Sequence, residues 1–261
     1  MTTVIVPVDF SETSLNAARY ACGFLTGHYG VTIILYHSYA SAKDEAATLL
    51  SMEELKQELL ANYPVSLEIL AHHEDEFVVG FERAARHRSA DLVIMGITGK
   101  SELEQVLFGS NTLKMAQTKA CPVLIVPENA SFTRMKNVML TSDFKDTLNT
   151  TPSVHIKKFL KINRPQLHVV NVDKEHYISL TEKYEGEKQN LRELLGDFNP
   201  EFYFMRFFDI DEALEQFAMD REIDLIITVQ RNHSFMEKML KTSTTKKLSF
   251  RSKVPILVIH E

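Results

Sequence analysis

Val4-Ile5-Val6-Pro7-Val8-Asp9-Phe10, near the start of the chain, is a short apolar run closed by an acid and an aromatic residue. Val138-Met139-Leu140-Thr141-Ser142-Asp143-Phe144 repeats that pattern 134 positions later, and Thr13 is echoed by Thr147. A run this short and apolar, ending at turn-forming residues, reads as a buried strand. Two further echoes keep nearly the same offset. Asp91-Leu92-Val93-Ile94 matches Asp224-Leu225-Ile226-Ile227, and Pro122-Val123-Leu124-Ile125-Val126 matches Pro255-Ile256-Leu257-Val258-Ile259. Because the spacing between strands is preserved, the 261 residues read as two copies of one unit rather than one large domain. The segment 127–135 breaks the pattern with turn formers, so the expected domains are 1–130 and 131–261.

Within the first copy, strands are expected near 3–8, 31–36, 65–70, 91–95 and 122–126, with helices near 12–26, 47–61, 76–88 and 110–118. Alternation of short β-branched runs with stretches of helical period is the signature of βαβ units and a parallel sheet. The first helix carries Leu15, Ala18, Cys22 and Leu25 on one stripe, with Ser11 or Thr13 available as its cap. The second copy follows the same order.

Composition narrows the function. Apolar residues are 44% and charged residues 25%, so every part of the chain can form a core. No apolar run is long enough for a membrane helix and no signal-peptide pattern opens the chain, so a cytoplasmic protein without a membrane partner is expected. Residues 1–130 hold 9 Lys and Arg against 16 Asp and Glu, which argues against nucleic acid as a partner. Lys238, Lys241, Lys246, Lys247 and Lys253 read as a solvated face. Cys22 and Cys121 lack metal-ligand spacing and read as buried, reduced thiols.

The chemistry concentrates after the strand at 91–95. Gly96, Gly99 and Gly109, followed by Ser110, form G-x2-G-x9-G-S. Gly96 is expected to let the backbone leave the strand with an unusual φ, and Gly99 to let a ligand approach main-chain amides. Gly109, Ser110 and Asn111 would open a helix whose free N–H groups favour phosphate oxygens. Ligands of open α/β sheets sit beyond the carboxyl ends of the strands, where strand order reverses, here between the first and fourth strands. Asp9 ends the first strand. A carboxylate repels phosphate, so Asp9 is assigned to ribose hydroxyls or an adenine amino group. The competing reading is structural: Asp9 caps the next helix and the glycines only shape turns.

Pro7-Val8-Asp9-Phe10-Ser11, the strand Asp91–Gly96, the glycine motif and Cys121-Pro122-Val123-Leu124-Ile125-Val126-Pro127 together resemble the universal stress protein family. The resemblance covers nearly the whole chain as two tandem copies. It implies an α/β fold of two doubly wound, five-stranded parallel sheets of order 3-2-1-4-5 flanked by helices. Family members with the glycine motif bind ATP. By motif position, the implied contacts are Pro7, Asp9, Ser38, Met95, Gly96, Gly99, Gly109, Ser110 and Asn111. It also implies that the last strands, Val123–Val126 and Ile256–Ile259, pair within the chain as a pseudo-dimer, with a homodimer as a further option.

The second copy departs from the motif. Val229, Asn232 and Thr242 stand where Gly96, Gly99 and Gly109 do, although Asp143 and Ser243 remain. Val and Thr would be strained by about 1–3 kcal/mol each in a left-handed conformation and would crowd a ligand, so no nucleotide site is expected there. His72-His73-Glu74-Asp75 lacks helical metal-site geometry and reads as a solvated loop, and His37 as a packed residue at a strand end. The segment Tyr39–Tyr63 reads either as a helix edging the pocket or as an ordinary surface helix. In it Leu49, Leu50, Met52 and Leu55 are available to the second domain or a partner. No catalytic triad and no protein metal site emerge.

The sequence therefore predicts a stress-response or regulatory protein that binds ATP, or ADP or AMP, in its first domain. Mg2+ or Mn2+ would be held mainly by the phosphates. A slow ATPase and a scaffold without nucleotide are the alternatives, and the sequence names no protein partner.

Overall fold

In a computed structural model describing residues 1–97, 110–173, 182–206, 210–230 and 253–261, each of the repeated apolar runs is a strand. The chain divides into two units, Met1–Thr133 and Arg134–Glu261. Phe132 belongs to the first because its ring packs edge-on against Tyr20 and Phe24, with centroids 5.5 and 5.7 Å away.

The first unit runs β1 (Thr3–Pro7), α1 (Glu12–Leu25), β2 (Thr32–Tyr39), α2 (Glu45–Asn62), β3 (Ser66–His73), α3 (Phe77–His87), β4 (Leu92–Ile97), α4 (Ser110–Gln117) and β5 (Val123–Pro127). Its strand order is β3-β2-β1-β4-β5, and every pair is parallel. Val4, Ile5, Val6, Leu92, Val93 and Ile94 are wholly buried, as expected for strands covered on both faces. Ser11 is the N-cap of α1, its hydroxyl accepting from Ser14 N. The helix buries Ala17, Ala18, Ala21, Cys22, Phe24 and Leu25, a stripe broader than expected, while Leu15 is only half-buried.

The acid that recurs before β4 and its counterpart has a structural task. Asp91 Oδ2 accepts from Thr2 N at 2.5 Å and Thr3 N at 3.3 Å, and Asp224 Oδ2 accepts from Lys136 N at 2.6 Å and Asn137 N at 2.9 Å. In each unit this carboxylate satisfies amides at the entry to the first strand, which would otherwise lack partners.

The second unit runs β6 (Asn137–Thr141), α5 (Thr147–Thr150), α6 (Ser153–Leu160), β7 (Gln166–Asp173), α7 (Glu182–Leu195), β8 (Glu201–Arg206), α8 (Ile210–Asp220), β9 (Leu225–Gln230) and β10 (Ile256–His260). The order β8-β7-β6-β9-β10 copies the first unit, again with parallel pairs. One difference departs from the expected copy: the counterpart of α1 is split in two. Pro152 forces the break, and Thr151 before it is extended at φ −97°, ψ 112°.

Two expectations for the first unit need correction. Met52 and Leu55, offered as contacts for a partner, lie with Leu59 in the unit's own core, because α2 packs on β2 and β3; Leu49 and Leu50 stay exposed. His72 and His73 are exposed but close β3 rather than lying in a loop, since register with β2 extends to Ser38↔His72 and Tyr39↔His73. Burial pushes the Cys22 and Cys121 thiols up to about 12, so neither is a thiolate near neutral pH.

His168 on β7 is buried among Tyr203 and Phe217. Burial pushes its imidazole below the ordinary histidine value; Glu201, 3.8 Å away, pulls it up and Arg221 opposes that. A histidine neutral in the fold but protonated when unfolded contributes stability above its unfolded pKa of about 6.5. That contribution is lost as pH falls below this value. Denaturation of the second unit should therefore become easier between pH 7 and pH 5, and His168→Gln should flatten the dependence.

Candidate functional site

The strand order reverses between β1 and β4, which places the ends of β1, β2 and β4 along one edge of the sheet. At that edge β1 hands over to α1 through a closed set of hydrogen bonds. Asp9 Oδ1 accepts from Ser11 N at 3.0 Å and Ser11 Oγ at 2.5 Å; Asp9 N donates to Ser14 Oγ at 3.2 Å, which itself donates to Ser11 O at 2.9 Å. Burial alone would raise the Asp9 carboxyl, but the bonds from Ser11 and Ser14 outweigh it and hold the pKa below the usual carboxylate value. Asp9 is thus ionised at neutral pH, and the residue is exposed.

The turn costs backbone strain. Phe10 sits at φ 63° and its echo Phe144 at φ 53°, a left-handed conformation that is an outlier for a bulky residue and costs about 1–3 kcal/mol. The Asp9–Ser11 bond has its counterpart in Lys145 N donating to Asp143 Oδ1 at 3.2 Å. The Asp-Phe pair therefore specifies the same turn twice.

His37 holds this turn to β2. Its Nδ1 lies 2.7 Å from Val8 O, and since a carbonyl only accepts, Nδ1 is the donor. Asn171 fills the same place in the second unit, donating from Nδ2 to Ser142 O at 2.9 Å. Two different side chains with one shared bond give His37 a structural role.

Gly96 lies within β4 paired with Val126, and its φ is not left-handed, which corrects the expected unusual backbone. What requires glycine is close approach. A Cβ at Gly96 would fall 2.3 Å from Thr13 O and 2.8 Å from Thr13 C, inside the first turn of α1. The second unit tolerates Val229 in extended β9, where the short helix α5 packs against α7 instead. The sequence argument from strain at Val229 is replaced by this difference in packing.

From the other side, buried Thr112 in α4 donates to Gly96 O at 3.1 Å. The first turns of α1 and α4 thus meet the end of β4 at one glycine. Pro7 is buried at the end of β1 and Met95 within β4, Ser38 is half-buried beside His72, and Asn111 is exposed in the first turn of α4. Ser110 begins that helix. Gly99 and Gly109 lie outside the described residues, as do Asn232, Thr242, Ser243 and four of the five late lysines. Thr13, Thr112 and Phe10 were missed as site elements. The Thr13–Thr147 and Phe10–Phe144 echoes were the available signals.

Residues 1–127 match the model of the universal stress protein family. The first unit is thus similar to the universal stress protein family over nearly its whole length. A universal stress protein of Methanocaldococcus jannaschii is 29% identical over 139 residues, covering 47% of this chain and 80% of that protein. One from Thermus aquaticus is 27% identical over 134 residues, covering 48% and 97%. For the tandem arrangement the likeness is one of fold. A universal stress protein structure from Archaeoglobus fulgidus covers 99% of this chain and 98% of its own at TM-score 0.67, with 18% identity.

In this chain the second unit departs from the first at the edge that corresponds to the site. Glu187 of α7 accepts from Asp146 N at 3.2 Å, Thr147 N at 2.8 Å and Thr147 Oγ1 at 2.6 Å. Burial raises its carboxyl and these bonds more than compensate, holding it below the usual value. An internal carboxylate thus takes the amides that open α5. Tyr184, three residues earlier, stacks on Phe144. Among the described residues no group of three metal-ligating side chains occurs, and no helix is long and apolar enough to cross a membrane.

Proposed function

We propose that the first unit binds one adenine nucleotide, preferably ATP, as a regulatory ligand, and that the second unit binds none. The observation that carries the reading is the pairing of an exposed, ionised Asp9, just past the end of β1, with the α4 N-terminus fastened to Gly96 on the neighbouring strand β4. The carboxylate suits the hydroxyls of a ribose or the amino group of the base, and the amides opening α4 suit phosphate oxygens. Pro7, Ser38, Met95, Gly96, Gly99, Gly109, Ser110 and Asn111 complete the proposed contacts. A divalent cation such as Mg2+ or Mn2+ would be held by the phosphates and water, given the absence of a three-ligand protein cluster among the described residues.

The bound nucleotide is proposed to act through occupancy. Asp9 Oδ1 is taken up by its turn and His37 Nδ1 by Val8 O, which leaves Asp9 Oδ2 and His37 Nε2 as the acceptors whose part in any hydrolysis the assay must test. The test is a time course of ATP with the purified chain, beside a calorimetric titration. Binding without appreciable release of inorganic phosphate is the expected result. Rapid turnover abolished by Asp9→Ala would instead establish an ATPase.

A further inference from the structure

We infer that the ring of Phe10 is the surface on which the nucleobase stacks; this rests on the nucleotide reading above and assigns the base a side chain outside the glycine motif. Phe10 follows Asp9 directly, and its ring centroid lies 5.2 Å from that of His37, the residue before Ser38. The ring thus adjoins Asp9 in the chain and packs beside the residue that precedes Ser38. It is 37% exposed, although burial of a phenylalanine is normally favourable.

The repeat provides the comparison. Phe144 occupies the same turn with nearly the same backbone, yet its ring is only 2% exposed. It is covered by Tyr184, whose ring lies parallel within 14° at 5.8 Å, with Phe204 and Phe202 at 5.0 and 6.2 Å. A parallel aromatic partner is thus what this turn takes in the copy where its ring is fully covered. Tyr184 comes from α7; the corresponding α2, Glu45–Asn62, contains no aromatic residue. The first unit presents the same ring, touched by His37 at a tilt of 49°, and supplies no aromatic partner from that helix. A purine offers a flat π-face of the required kind, and base-on-aromatic stacking is a common mode of recognition.

The decisive variant is Phe10→Gly in the full chain, because glycine accepts the left-handed φ and leaves the turn unstrained. Its denaturation midpoint should be no lower than that of the parent. Affinity for ATP should fall about tenfold while affinity for inorganic triphosphate, which has no base, stays unchanged. The chain has no tryptophan, so Phe10→Trp introduces a single indole. Its emission should be quenched by ATP and not by triphosphate. If the parent binds one ATP per chain but Phe10→Gly binds it equally well and the indole does not respond, the stacking role is overturned and the site stands. If the parent binds no adenine nucleotide, the site reading and this inference fall together. Indole quenching that follows protein concentration rather than ATP would identify a second copy of the chain as the cover, and would overturn the base.

Discussion

Gly96→Ala should destabilise the first unit by roughly 2–4 kcal/mol, and Gly96→Val by at least as much. The added Cβ would lie 2.3 Å from Thr13 O, and that backbone atom has little room to retreat. The first turn of α1 is fixed by the Asp9, Ser11 and Ser14 bonds, and one turn later Asn16 Nδ2 donates to Pro127 O at 3.1 Å and Ala130 O at 2.9 Å. To admit a methyl group the helix must move off β4 or the strand must bend. In contrast, Val229→Gly in the second unit should cost only about 1 kcal/mol, the ordinary entropic penalty of glycine in a strand. Urea denaturation of both variants, with the phases of the two units followed separately, checks the contrast. Equal midpoints for Gly96→Ala and the parent would show that Gly96 serves ligand approach alone.

Asp9 separates the turn from the ligand. Asp9→Ala removes the acceptor for both Ser11 donors and should weaken nucleotide binding by about 10- to 100-fold, the range for a lost hydrogen bond to a charged group. The same change also loosens the start of α1, so affinity alone does not identify the cause. Asp9→Asn keeps a carbonyl oxygen for Ser11 and should fold with nearly the parent's stability, yet it lacks the charge. Its nucleotide affinity should still fall about tenfold if the carboxylate meets ribose or base directly. Parent-like affinity in Asp9→Asn together with weak binding in Asp9→Ala would reduce Asp9 to a cap. Calorimetric titration with ATP and denaturation midpoints of both variants decide between these roles.

The strands and helices of the first unit were legible because period and turn residues agree there, and the repeat tested each assignment twice. The split of α1's counterpart was written in Thr151-Pro152, but the strength of the repeat masked it. Asp91 and Asp224 were visible as echoes while their task was not. Each caps the start of a strand nearly ninety residues away in sequence, a distance no local pattern reports. Gly96 was recognised for the wrong reason. Sequence marks a position that needs glycine, and only packing tells a backbone angle from a close approach. The left-handed turn at Phe10 was hidden because a bulky aromatic is among the residues least expected there. The contacts of Tyr184 and Glu187 with the Phe144–Thr147 turn depend on how α7 packs against α5, which composition does not encode.

The central claim is one adenine-nucleotide site per chain, in the first unit. Its most direct test is to denature the protein as purified, after saturation with ATP and removal of excess ligand, and to quantify the released nucleotide by ion-exchange chromatography. Gly109→Val serves as the control. One adenine nucleotide per chain, lost in Gly109→Val, is the predicted result; two per chain, or none from the saturated parent, would contradict it.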